Sequence, residues 1–162
     1  MKLNKIIKIN IKNKKNLGSD RIANAIGAKK FKNCLIIDFG TATTFDVIKN
    51  SIYEGGVIAP GVNLSIKNLS QSTALLPLIN LKSHQKSFGK NTNEALNAGF
   101  VWGYEGLINN IIDKITSRNK IKYKILLTGG YANFFNKMIK KKVVIDQDIT
   151  IKGIANAYKE LI

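Results

Sequence analysis

The segment Ile36-Ile37-Asp38-Phe39-Gly40-Thr41-Ala42-Thr43-Thr44-Phe45-Asp46 constrains this chain more than any other. A short apolar strand, Leu35-Ile36-Ile37, runs into an acid and then into glycine and hydroxyl residues, and a second strand leaves over Phe45 to Ile48. The pattern reads as a β-hairpin with a polar tip. It sets a carboxylate beside backbone N–H groups and hydroxyls that can reach phosphates or a cation, so the chemistry it points to is that of a hard-cation site. The same residue types also serve at ordinary strand-to-turn junctions. Asp38-Phe39-Gly40 is not the protein-kinase motif, because no glycine-rich loop, H-R-D catalytic loop or helix-C glutamate accompanies it.

Apolar spacing places the other elements. Lys5 to Ile11 alternates in part and is expected to be a strand with no obvious partner. Gly18-Ser19-Asp20 precedes a helix that Ser19 or Asp20 can cap, with Ile22, Ala25 and Ile26 on one face and an end near Lys29 or Lys30. Tyr53 to Ala59 is a third strand, interrupted by Gly55-Gly56 and stopped by Pro60-Gly61. A helix from Val62 to about Leu75 comes next, then a polar loop through His84, then a long helix capped by Thr92 and running through Ile115. Lys124 to Leu127 reads as a strand, Gly129-Gly130 as a turn, and Tyr131 to Lys140 as a helix. Val143 to Ile145 and Thr150 to Leu161 complete the chain as strand and helix. The order β-α-β-β-β-α-α-β-α-β-α, without internal repeats or a flexible linker, is an α/β arrangement.

A formal charge of +16 invites a polyanionic partner, but the arginines Arg21 and Arg118 are its only guanidinium groups. The lysines lie in scattered runs such as Lys12 to Lys15 and Lys140 to Lys142, alongside abundant Asn and Ile, the residues an AT-rich genome over-supplies. Base readers rely on bidentate guanidinium and interleaved aromatics, so nucleic acid is not the expected partner. Cys34 stands alone, which excludes an internal disulfide and fits a buried thiol in a reducing compartment. No apolar run approaches the roughly 20 residues of a membrane span, and the basic N-terminus lacks an apolar signal core. The expected location is the cytoplasm, with no membrane partner.

Two further motifs carry chemistry. In Gly18-Ser19-Asp20-Arg21 an aspartate at a helix start can accept a hydroxyl proton beside an arginine whose fork suits a carboxylate, although an isolated tetrapeptide of this kind also serves as a plain N-cap. In Leu127-Thr128-Gly129-Gly130 the glycines between strand and helix admit a nucleotide to the backbone, or else serve only helix–strand packing. No G-x-x-x-x-G-K-[ST] loop is present, so this is not a P-loop enzyme. His84, the sole histidine, has no second ligand at metal spacing. Trp102, with Phe100 and Tyr104, is expected to pack a helix or dimer face.

Seven segments succeed one another along the chain: Gly18-Ser19-Asp20-Arg21, the Ile37 to Phe45 hairpin, Tyr53-Glu54-Gly55-Gly56-Val57-Ile58-Ala59-Pro60-Gly61, Leu76-Pro77, Gly89-Lys90-Asn91-Thr92, Thr128-Gly129-Gly130 and Asp148-Ile149-Thr150-Ile151-Lys152-Gly153-Ile154. Together these pieces resemble the type III pantothenate kinases, also described as Bvg accessory factor-like proteins, of the superfamily of acetate kinase, sugar kinases, heat-shock cognate chaperones and actin. The match runs from about Leu17 to the end.

The resemblance implies an actin-like (ribonuclease H-like) ATPase lobe, with a mixed sheet flanked by helices. The implied reaction is phosphorylation of pantothenate to 4′-phosphopantothenate with ATP and Mg2+, the first step of coenzyme A biosynthesis. Asp20 would be the general base for the pantothenate hydroxyl, and Gly18, Ser19, Asp20, Arg21 and Thr92 would line the pantothenate site. Gly40, Thr41, Gly129 and Gly130 would contact ATP, and Asp38 would bind a monovalent cation, K+ or NH4+. A homodimer is also implied.

Family members carry an N-terminal lobe whose D-x-G-N-T hairpin grips the phosphates and magnesium, and no such motif occurs in this sequence. Residues 1–16 are therefore expected to be the last strand and connection of that lobe, and residues 17–162 the C-terminal kinase lobe. The chain is then a truncated or split form needing a separate N-terminal lobe, or else a catalytically inactive remnant that dimerises or binds a partner.

Overall fold

The computed structural model describes residues 6–82, 87–117 and 121–161. Lys5 and His84, on which two of the expectations touch, lie outside them. Strands β1 (Lys8–Ile9), β2 (Cys34–Phe39), β3 (Ala42–Lys49), β4 (Ile52–Pro60), β5 (Lys124–Gly129) and β6 (Val143–Ile145) form one sheet in the order β1-β4-β3-β2-β5-β6. Helices α1 (Ser19–Gly27), α2 (Val62–Gln71), α3 (Thr92–Thr116), α4 (Ala132–Phe135) and α5 (Ile149–Leu161) interleave with them in the expected sequence.

Strands β2, β3 and β4 are an antiparallel meander, and β5 and β6 extend it in parallel beside β2. Helices cover both faces, which is the ribonuclease H-like, actin-like lobe. The opening strand finds its partner within the chain, running parallel to β4 through Lys8–Ile52 and Ile9–Tyr53.

Alternation along the strands sorts side chains to opposite faces. Leu35, Ile37, Phe39, Phe45, Ile125 and Leu127 pack with Tyr104, Ile108 and Ile112 of α3 and with Phe135 of α4. Cys34, Ile36, Ile48, Tyr53 and Leu126 pack with Ile22, Ala25 and Ile26 of α1 and with Ile149 of α5. Being buried on both faces, β2 reads in sequence as an unbroken apolar run. Helices α1 and α5 touch backbone to backbone, since a Cβ on Gly153 would run into the Ala23 carbonyl.

Several helix ends depart from expectation, each for a visible reason. Helix α1 stops at Gly27, where Phe31 N donates to Ala28 O at 2.8 Å and turns the chain toward β2. Helix α2 ends at Gln71 because Ser70 Oγ donates to Leu76 O, drawing the next segment back alongside. The helix expected from Tyr131 to Lys140 is a short α-helix and a 3-10 turn, Asn136–Met138. Asn109 of α3 clamps the chain at this turn, donating to Met138 O at 3.0 Å and accepting from Lys140 N at 2.9 Å. Helix α3 is capped by Asn91 rather than Thr92: Asn91 accepts from Glu94 N, and Glu94 accepts in return from Lys90 N. Among the described residues no helix is long and apolar enough to cross a membrane.

Candidate functional site

The C-terminal ends of β2 and β5 and the first turn of α1 converge on the α1/α5 side of the sheet. The cap position of α1 is Gly18, and neither Ser19 nor Asp20 caps the helix. Asp20 accepts instead from the backbone N–H of Arg21 at 2.8 Å. This leaves its carboxylate exposed in the first turn, where the helix dipole stabilises negative charge.

Asp38 lies one residue from the end of β2. Asn24 Nδ2 donates to its Oδ2 at 2.8 Å, and Asn24 Oδ1 accepts from Thr150 Oγ1 at 2.6 Å, so one fully buried amide ties β2 to α1 and α5. Asp38 Oδ1 remains toward the glycines: a Cβ on Gly129 would stand 2.7 Å from it and one on Gly40 3.7 Å. Gly129 has φ +85°, a conformation glycine adopts without strain. Gly130 N donates to Phe39 O at 3.1 Å, which lays the exit of β5 across the end of β2. Gly40 and Thr41 form the exposed tip of the hairpin.

Beneath Arg21 lies a second acid, Asp46 of β3. Its carboxylate is fully buried and takes Arg21 Nε at 2.7 Å and Tyr53 O–H at 2.6 Å. Burial pushes the Asp46 carboxyl above the ordinary carboxylate range, with Arg21 and Tyr53 pulling against it and Asp20 adding to the rise. Burial likewise raises Asp38, opposed by the Asn24 hydrogen bond and reinforced by Asp20. Burial alone would lower the Arg21 pKa, but Asp46 outweighs it and holds the guanidinium more firmly protonated. The field of Asp20 therefore reaches all three groups.

The residues can be tested against a cation. Thr44 pairs across the strands with Asp38, and its buried hydroxyl has no protein partner. Asp38 and that hydroxyl are oxygen donors on the same face of neighbouring strands, the donor type that hard cations take. Among the described residues no group of three His, Cys, Asp or Glu side chains is placed to hold a metal. An exposed carboxylate, a second carboxylate on the same strand face as an unpartnered hydroxyl, and glycine backbone at a strand end thus share one edge.

Of the residues singled out in the sequence, Gly18, Ser19, Asp20, Arg21, Asp38, Gly40, Thr41, Gly129 and Gly130 lie around this edge. Thr92 does not. It is exposed at the start of α3, beside an apolar groove of about 410 Å³ lined by Leu69, Leu76, Leu96 and Phe100. Asn24, Thr150, Asp46 and Tyr53 are hydrogen-bonded neighbours of these residues that motif reading misses. The available signals are an amide on the apolar face of α1 and an acid inside the apolar strand Phe45 to Ile48.

Residues 2–114 match the family model described as type III pantothenate kinase. A type III pantothenate kinase of Pelagibacter ubique is 51% identical over 158 residues, covering 97% of this chain and 63% of its own length. One of a Sulfurihydrogenibium species is 40% identical over 151 residues, covering 91% and 60%. The chain thus spans about three-fifths of the length of these relatives. A Baf family transcriptional activator from Campylobacter jejuni has a similar structure, with a TM-score of 0.70 and 26% identity over 98% of this chain and 71% of that one. The ethanolamine utilization protein EutJ from Carboxydothermus hydrogenoformans, at TM-score 0.55 and 18% identity over 85% and 53%, shares the fold.

Proposed function

The chain belongs to the type III pantothenate kinase family, and from that premise we propose that it is the nucleotide-handling lobe of an enzyme that phosphorylates pantothenate with ATP to give 4′-phosphopantothenate, the entry step of coenzyme A biosynthesis. In this reading residues 17–162 are the C-terminal lobe and residues 1–16 connect to a separate N-terminal lobe, although β1 has been drawn into the sheet of the former.

The observation that carries the reading is the shared edge: Asp20 exposed in the first turn of α1, with Asp38, the Gly40-Thr41 tip and Gly129 beside it. Asp20 accepts the proton of the pantothenate primary hydroxyl as that oxygen attacks. Its exposure and its place outside the Asn24 and Asp46 networks leave it free for this. Arg21 holds the substrate carboxylate, and Thr92, which stands away from this edge within one chain, joins the pocket only if a second copy brings it there in the homodimer. Gly40, Thr41, Gly129 and Gly130 receive the nucleotide. Asp38 and the Thr44 hydroxyl would hold K+ or NH4+, whose charge would offset that of the phosphates. Phosphoryl transfer asks for positioning and charge neutralisation more than for covalent help, and these groups offer both.

Exposed apolar side chains support an assembled state. Ile151, Ile154 and Tyr158 form a stripe along α5, and Leu75, Leu78 and Phe88 stand open near α2 and α3. We assign these surfaces to the second lobe and to a homodimer in the cytoplasm.

The test is reconstitution. The part of the 51%-identical relative that has no counterpart in this chain is produced separately and mixed with it. ATP-dependent phosphorylation of pantothenate by the mixture, and by neither part alone, is the expected result. A mixture that associates but transfers no phosphate identifies the chain as a binding module.

A further inference from the structure

In the pantothenate kinase reading Arg21 holds a carboxylate, and the structure shows what holds Arg21. Arg21 Nε and Nη2 both reach Asp46 Oδ1, at 2.7 and 2.6 Å, and Tyr53 O–H donates to the same oxygen at 2.6 Å. The guanidinium carbon also stands 6.0 Å from the centre of the Tyr53 ring. Gly56, in register with Asp46 on the neighbouring strand, makes the room, since a Cβ there would lie 2.6 Å from Nη2. An arginine normally samples many rotamers; this one is locked on one edge.

The lock is not complete. Nη2 is buried with no hydrogen-bond partner beyond its ion pair with Asp46, and Asp46 Oδ2 is likewise buried without a hydrogen-bond partner. Alongside is a cleft of about 190 Å³ lined by Ile11, Leu17, Arg21, Tyr53, Gly55 and Gly56. Buried ion pairs do little for stability once desolvation is counted, so stability alone does not account for this one. Fixing the side chain during folding removes its ordering cost from the binding step.

We propose that Asp46, assisted by Tyr53, is a positioning residue that presents Arg21 to the carboxylate of the substrate and thereby sets the preference for the acid over a neutral analogue. The proposal rests on the pantothenate kinase reading and extends it to a group outside the Gly18 to Arg21 motif.

The reconstituted kinase tests it with two substrates, pantothenate and the primary amide of the same acid. Wild type is expected to favour the acid in kcat/KM. Asp46→Asn should cut that preference by about ten- to a hundredfold, chiefly through KM for the acid. Tyr53→Phe, which removes one hydroxyl and keeps the ring, should cut it by about threefold and guards against misfolding of the first variant. A second readout needs no turnover. With two arginines in the chain, the Arg21 Nε–H signal is readily resolved by nitrogen-15 NMR, and it should exchange slowly with solvent in wild type and rapidly in Asp46→Asn. Variants that retain or increase the preference for the acid overturn this inference alone. A wild type that phosphorylates both substrates equally overturns this inference and leaves the functional reading standing, whereas one that phosphorylates neither removes the functional reading and this inference with it.

Discussion

The two faces of the central sheet differ in kind. On the α3/α4 side, Leu35, Ile37, Phe45, Leu127 and Phe135 close into a dry core, with the Phe39 and Phe135 rings stacked at 5.6 Å. On the α1/α5 side the same strands begin apolar, at Cys34 and Ile36, and turn polar toward their ends, where Asp38, Thr44, Asp46 and Thr128 meet Arg21, Asn24 and Thr150. Buried polar groups cost stability unless every partner is supplied. Both faces pack an apolar core, but the α3/α4 face buries few polar groups, Thr43 and Asn109 among them, whereas the α1/α5 face keeps a costly polar layer beside the proposed site.

The contrast can be broken by substitution. Phe135→Ala empties the centre of the dry face and should lower stability by about 3–5 kcal/mol, seen as an earlier urea midpoint. The Asp46-dependent slow exchange of the Arg21 Nε–H should survive in that variant below its midpoint. Asn24→Ala strips Asp38 and Thr150 of a shared buried partner and should cost about 1–3 kcal/mol, measured in the same way. Its nucleotide affinity, by calorimetry, should fall more than that of Phe135→Ala, and equal losses would dissolve the distinction between the faces.

Cys34 marks where the α1/α5 face is still apolar. Burial pushes its thiol from 9.0 up to about 12. The folded pKa is thus raised, so the stability tied to the neutral thiol is complete below pH 9 and lost as pH rises through 12. Relative to Cys34→Ala, wild type should lose roughly 1 kcal/mol per pH unit across that window, read from urea melts. Parallel pH profiles would place Cys34 in a wetter setting. The smallest effect belongs to Asn91→Ala, which removes the cap of α3 and should cost about 1 kcal/mol without altering the polar face.

Much of the fold is legible in the sequence. The apolar run of β2, the apolar segment Phe45 to Ile48 that follows the polar tip, and the acid at the end of β2 are local patterns, and the hairpin forms where they place it. Caps slip by a residue because the competition is local and close: Asn91 accepts from Glu94 N while the Glu94 carboxylate accepts from Lys90 N, leaving Thr92 inside the helix. The breakdown of the helix after Tyr131 depends on Asn109, about thirty positions earlier in the chain. The Arg21–Asp46 pair is equally non-local, joining α1 to β3 across 25 positions, and no periodicity announces it. Motifs locate the groups proposed to meet substrate, whereas the residues that aim them emerge only from packing.

Asp20 carries the central claim. The rate of phosphoryl transfer to pantothenate in the reconstituted kinase, compared between wild type and Asp20→Asn at matched thermal stability, is the deciding measurement. A fall of about 10²- to 10⁴-fold, with an unchanged melting temperature because Asp20 is exposed and outside both buried networks, is the predicted result. Transfer at the wild-type rate by Asp20→Asn would contradict it.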